Sequence, residues 1–287
     1  MAEFIQQLAN GVMLGSIYAL VAAGVALIFG VLHIPQFALG AQAMLGAYLV
    51  FTLSVSLSLN YWIALAAAAL IMAVFGAVAH RLVFDPIRNA PSINAFISAF
   101  GLVLVLESAA QIIWGASYKR VPSALGGETI NIFGASLTAQ RLLIIVVALV
   151  IVLALHTTIR RTTLGSTIRA VAQNPTGAAV VGINPRRVAT LTMAIGSAVA
   201  ATAGGLIAPI SSVFPSLGAF LIIKAFVITI LGGMGSFTGA IAGGFIFGIV
   251  EALGAGYVSV EYKDAFGFII LVLVLAMKPQ GLFGATR

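Results

Sequence analysis

The chain has 287 residues, of which 61% are hydrophobic and only 7% carry a formal charge, against about 25% charged residues in an ordinary soluble domain. Seven acidic and fourteen basic side chains cannot cover a water-facing surface of this size. A soluble enzyme, a disordered regulator and, with no cysteine present, a secreted disulfide scaffold are excluded. The remaining solvent is a bilayer.

The net charge of +7 is not read as a nucleic-acid signal, because no basic stretch carries interleaved aromatics. Basic residues of a membrane protein gather in cytoplasmic loops, where they hold the topology and meet anionic lipid. His33, His80 and His156 have no metal-ligand spacing. Met1 to Gln7 holds Glu3 and no Lys or Arg. The first apolar stretch therefore reads as a retained span rather than a signal peptide, with the N-terminus facing away from the cytoplasm.

A span needs about 20 mostly apolar residues. The first is expected from Gly11 to Leu32, ended by His33-Ile34-Pro35, because proline removes a donor and disfavours helix just before it. Further spans are expected over Phe37–Leu57, Tyr61–Ala79 and Ser92–Trp114, the last after a polar break with Arg81, Asp85, Pro86, Arg88 and Pro91. Gly115 to Gln140 reads as a loop, with Lys119, Arg120, Pro122, Gly126, Gly127 and Glu128, before a span over Arg141–His156. The interval from Thr157 to Val188 carries five arginines and no acid, so the positive-inside rule places it in the cytoplasm. Ala189–Ala208 follows as a span. A short apolar stretch, Ala219–Leu231, meets the glycine cluster Gly232 to Gly239, then Ala240–Tyr257 and Ala265–Met277 complete the series. The fold class is all-α, a polytopic transmembrane bundle of about eight or nine spans with broken helices, in a single domain over 1–287. The Arg81–Arg88 loop and the C-terminus, with Lys278 and Arg287, fall inside.

Pro35 before Leu39-Gly40-Ala41 and Pro215 before Leu217-Gly218-Ala219 form a faint echo, placed by this topology on opposite sides of the membrane. That is the pattern of an inverted repeat. The small-xxx-small runs Gly11 to Gly15 and Gly244 to Gly248 read as helix-packing faces, within the chain or between two chains. Gly232 to Gly239 lacks the lysine of a phosphate-binding loop, so it reads as a helix break or a tight turn and the chain has no ATP site of its own.

Ionisable groups inside spans are costly and mark function. Three stand out: Glu107, Lys224 and Glu251. Lys224 lies eleven residues before Gly235 and Glu251 sixteen after it. On the two arms of a hairpin that is an offset of roughly 7 Å, which long side chains can bridge. The alternative is that each snorkels separately to an interface. Gln36, Gln42, Ser211, Ser212 and Ser216 lie near helix breaks and are candidates for a substrate path. No catalytic residue and no metal ligand set is expected.

Within the arginine-rich interval, Asn174-Pro175 and Asn184-Pro185 each read as an N-cap with proline at the first helical position, and Gly182 as the end of the helix between them. Ala178, Ala179, Val180 and Val181 give that helix an apolar side outside any span. Exposed apolar surface on a rigid element asks for a partner or for lipid.

Gly15 to Leu20, Gly24, Ile28-Phe29-Gly30-Val31 and Gly40 to Tyr48 resemble the opening of the permease subunits of bacterial branched-chain amino-acid ABC importers. So do Arg169-Ala170, Asn174, Gly182-Ile183-Asn184, Lys224-Ala225-Phe226, Leu231 to Ser236, Gly239-Ala240 and Pro279 to Leu282. The resemblance covers residues 8 to 284 and is closer to the shorter of the two permease types. It implies a membrane subunit in the bacterial inner membrane that pairs with a homologous second permease, two cytoplasmic ATPase subunits that bind the ATP, and a periplasmic binding protein that delivers substrate. It also implies that Arg169, Asn174, Pro175, Ala178, Ala179, Val180, Gly182, Ile183 and Asn184 form the segment that couples to the ATPase. Arg169-Ala170-Val171-Ala172 stands where the commoner importer pattern has Glu-Ala-Ala before a glycine. Permeases resembling this one also carry urea, short amides or aromatic acids. Away from the resemblance, the competing readings are an ion-coupled secondary transporter, which needs an intramembrane relay, and an intramembrane enzyme, which lacks the residues.

Overall fold

The computed structural model describes residues 2–123, 125–126, 128–132 and 135–284, so Gly127 and Arg287, both used in the sequence reading, lie outside the described residues. Eleven α-helices are found among the described residues: α1 Ala2–Leu32, α2 Ala38–Phe51, α3 Tyr61–Ala79, α4 Ser92–Trp114, α5 Ala139–Arg161, α6 Thr163–Gln173, α7 Pro175–Val180, α8 Pro185–Ile207, α9 Leu217–Gly232, α10 Phe237–Tyr257 and α11 Lys263–Met277. With the π-helical turns described below, seven helical stretches are long and apolar enough to cross a membrane, and the shorter α9 joins them. The chain is an all-α polytopic membrane protein.

Several boundaries move. α1 begins at Ala2 rather than Gly11, α5 runs on to Arg161 and α8 starts at Pro185. In each case polar residues that look like loop in sequence extend the helix beyond its apolar centre. Two π-helical turns, Thr52–Ser56 after α2 and His80–Phe84 after α3, lengthen those helices. At the first, the Thr52 and Ser54 hydroxyls donate back to the Tyr48 and Val50 carbonyls at 2.9 and 2.6 Å, which loosens the regular ladder. The Gly115–Gln140 loop contains a hairpin, β1 Thr129–Ile132 with β2 Ala135–Thr138, in antiparallel register from Thr129 opposite Thr138 to Ile132 opposite Ala135. Its alternation is too short to read beside the long apolar runs.

α1 is the central post, with Ile17, Ala19, Leu20, Val21, Ala22 and Ala23 fully buried. α3, α4 and α5 are peripheral and turn large apolar residues outward, among them Leu70, Val74, Leu104, Val105, Ile112, Val150 and Leu153. That is the distribution a hydrocarbon solvent requires. The two small-xxx-small runs pack on each other within the chain. A Cβ at Gly11 would stand 2.7 Å from Ile249 Cα, and one at Gly15 would stand 2.9 Å from Phe245 Cα.

The packing order has an internal symmetry. α1 packs most extensively on α10, and α3 on α8; α2 and α9 touch each other and the opposite member of the α1–α8 pair. Exchanging α1 with α8, α2 with α9 and α3 with α10 therefore preserves these pairings, as an inverted repeat demands. Its placement differs from the sequence expectation. Gly40 and Gly218 do not lie on opposite sides. The first turns of α2 and α9 cross there, and a Cβ on either glycine would fall on the carbonyl of the other. The two repeats meet at the point where only glycine lets their backbones touch.

Candidate functional site

The side chains with chemistry gather at two ends of the bundle. The first site is a vestibule at the end where α1 begins. It has a volume of about 760 Å³ and is lined by the starts of α1, α5 and α11, the ends of α8 and α10, and α9. At its floor α9 presents Lys224 to α10. Lys224 Nζ stands 2.7 Å from Glu251 Oε1, 2.8 Å from Asp264 Oδ1 and 2.9 Å from the Tyr18 hydroxyl, which itself donates to Glu251 Oε1 at 3.2 Å. Lys224 also lies 5.0 Å from the centre of the Tyr18 ring. Phe247 holds that ring in place by an edge contact at 5.9 Å. Glu251 is 2% exposed, and its Oε2 has no hydrogen-bond partner among the described residues.

Lys224 and Glu251 are thus brought together across the glycine turn, where Gly233 and Gly235 take positive φ and Gly232 backs directly onto Gly239. Sequence reasoning missed Tyr18 and Asp264. A tyrosine in an apolar run carries no charge signal, and Asp264 sits at the edge of the last apolar stretch, in the first turn of α11. Higher in the vestibule Arg141 donates to the Asn10 side chain, and Lys263 is exposed. Much of the remaining wall is apolar, with Met13, Leu14, Ile207, Phe214, Leu217 and Leu221, and Gln7 and Ser211 add polar groups to it.

The proposed substrate-path residues are divided. Ser211 lines the vestibule, while Ser212 lines a separate small cavity with Arg120 and Pro209, and Ser216 is exposed and lines neither. Gln36 and Gln42 are buried between helices and line no described cavity. The Gln36 amide nitrogen reaches only Met193 Sδ, at 3.7 Å, because the chain after the His33–Pro35 break turns straight into the core. Glu107 is on peripheral α4, away from the vestibule and partly exposed, with Oε1 unpartnered.

The second site is at the opposite end, where α5, α6, α7 and α8 meet at sharp corners. The Asn174 side chain caps α7 by accepting from Gly177 N–H at 2.8 Å. The Asn184 side chain caps α8 by accepting from Arg186 and Arg187 N–H at 3.1 and 3.3 Å. Pro175 and Pro185 each sit at a first helical turn, and Gly182 ends α7 with φ +85°. Arg169 donates to the Ile159 carbonyl and locks α6 under the end of α5. The apolar side of α7 is not uniform. Ala178 is buried and Ile183 half-buried against the bundle, whereas Ala179, Val180 and Val181 point away, with Val180 84% exposed. Asp85 bonds Arg88 at 3.0 Å and lies 3.7 Å from Arg186, so the two basic loops share one face.

This fold is a helical bundle with a charged vestibule at one end and a rigid helical corner at the other. It defines an integral membrane protein of helical-bundle class with a cavity opening at one end. Residues 7–275 match the family of permease components of branched-chain amino acid transport systems, and the chain belongs to that family. It is 37% identical to the high-affinity branched-chain amino acid transport system permease protein LivH of Escherichia coli (strain K12), over 98% of this chain and 96% of that one. Identity to the corresponding LivH of Salmonella typhimurium (strain LT2) is also 37%, with the same coverage. To the permease BraD of Pseudomonas aeruginosa it is 33%, over 98% and 96% of the two chains. No solved structure gives a significant match.

Proposed function

We propose that the chain is the membrane-spanning subunit of an ATP-driven importer of branched-chain amino acids. The observation that carries this is the alignment of nearly the whole chain with permeases named for that transport. The chain supplies the path and holds no cofactor; ATP is bound by two cytoplasmic ATPase subunits. A second, homologous permease completes the passage, and a periplasmic binding protein feeds it. The protein sits in the bacterial inner membrane with the start of α1 outside and the α6–α7 corner in the cytoplasm, in accord with the arginines at that end.

The mechanism follows from rigidity. The corner from Arg169 to Asn184 is capped at both helix starts and tied to α5 by Arg169, so a push on Ala179, Val180 and Val181 is passed to α5 and α8 rather than absorbed. α8 packs on α1, α2 and α3. Closure of an ATPase dimer against the corner would rock one repeat against the other about the Gly40–Gly218 crossing and open the vestibule to the opposite side.

The test is uptake in proteoliposomes containing the chain with its partner subunits, with leucine, urea and benzoate offered separately. Leucine should enter only when the ATPase subunits hydrolyse ATP. Uphill uptake by the purified chain alone on an ion gradient would refute the reading.

A further inference from the structure

The floor of the vestibule has more acid than it uses. One ammonium, that of Lys224, donates to Glu251 Oε1 at 2.7 Å and to the Tyr18 hydroxyl at 2.9 Å and forms an ion pair with Asp264 Oδ1 at 2.8 Å. Two carboxylates thus face a single cation, and Glu251 Oε2 is left unpartnered although Glu251 is 2% exposed. A buried carboxylate oxygen without a donor is costly unless something arrives to satisfy it. The acceptor set already holds one primary ammonium, so the group that fits is another. Arg141 and Lys263 line the same vestibule, as do the apolar Met13, Leu14, Ile207 and Leu221.

We propose that this floor is the subsite for the α-ammonium group of the amino acid in transit. Glu251 Oε2 accepts from the substrate ammonium, and Lys224, already bonded to the other oxygen, holds the carboxylate in place. The substrate side chain lies against Met13, Leu14, Ile207 and Leu221. The subsite spans four helices, α1, α9, α10 and α11, so filling it ties the hairpin α9–α10 to α1 and α11. The inference rests on the permease reading and adds the chemical group recognised and the residues that recognise it.

Two measurements test it on the complete complex. In the first, without binding protein, the melting temperature is followed with millimolar leucine, 3-methylbutylamine, which keeps the amine and lacks the carboxylate, and 4-methylpentanoate, which lacks the amine. Leucine and the amine should raise it and the acid should not; an equal shift with the acid overturns the subsite. In the second, Glu251→Gln keeps Lys224 bonded to Asp264 and Tyr18. The variant should assemble and hydrolyse ATP, yet lose leucine uptake by about tenfold or more, the cost of one charge-assisted hydrogen bond, together with the shift produced by the amine. Uptake at the unaltered rate in Glu251→Gln overturns the proposal. Should the variant not assemble, the analogue series on the unaltered complex decides by itself. Absence of leucine uptake in the unaltered complex, with the amine-dependent shift intact, sinks the importer reading and spares the subsite.

Discussion

At the scale of single residues, the Lys224–Glu251 pair is where electrostatics and burial oppose each other most directly. Both groups are largely withdrawn from solvent; Glu251 has Lys224 as its one cationic partner among the described residues, whereas Lys224 also has Asp264. Lys224→Met leaves Glu251 and Asp264 facing one another without a cation. It should cost about 3–5 kcal/mol, the usual penalty for breaking one side of a buried pair. Adding Glu251→Gln should recover most of that loss. Thermal unfolding of the solubilised chain across the double-mutant cycle measures it, and strictly additive losses would show the two groups to be independent. The pair was legible in sequence because two charges in apolar runs flank one glycine cluster. Its extra partners were not, since the contribution of Tyr18 depends on how α1 is rotated against α9.

At the scale of elements, two features lend themselves to prediction. The crossing of α2 and α9 leaves no room at Gly40 or Gly218. Gly218→Val should destabilise by about 1–3 kcal/mol, as overpacking does, whereas Gly101→Val, where nothing lies within 4 Å of the added Cβ, should be close to silent. Limited proteolysis in detergent separates the two. The α7 corner is the second feature. Ala179→Asp places a carboxylate on an exposed position and should leave the melting temperature unchanged while preventing co-purification of ATPase subunits. A variant that still brings them down and supports uptake removes α7 from the interface. The caps and breaks of this corner are local, so Asn174, Pro175, Gly182, Asn184 and Pro185 could be placed from sequence. Which of the α7 side chains face inward could not, because a helix of six residues has no periodicity to read.

At the scale of the whole molecule, the topology makes a direct prediction that the absence of cysteine renders simple to check. A cysteine introduced at Val180 and one introduced at Tyr262, both exposed, should react with a membrane-impermeant maleimide from opposite sides of the bilayer. Val180 should be reached only in inside-out vesicles and Tyr262 only in intact spheroplasts. Labelling of both from one side would remove the odd number of crossings between them. The same topology accounts for the exposed apolar belt on α3, α4 and α5, which requires lipid or a second subunit, and for the near-complete burial of α1.

Composition and the length of the apolar runs alone determined that this is a helical membrane protein, roughly where its spans lie and which loops carry the basic charge. These are local properties, set by hydrophobicity over about 20 residues and by proline, glycine and asparagine at helix ends. Only the tertiary structure decided that Gly40 meets Gly218, that Gln36 and Gln42 are packed into the core while Ser211 faces a cavity, and that Asp264 and Tyr18 close around Lys224. Those outcomes depend on helix rotation and crossing angle. In a chain hydrophobic on nearly every face there is no polar stripe to announce either one; close packing between small residues chooses them.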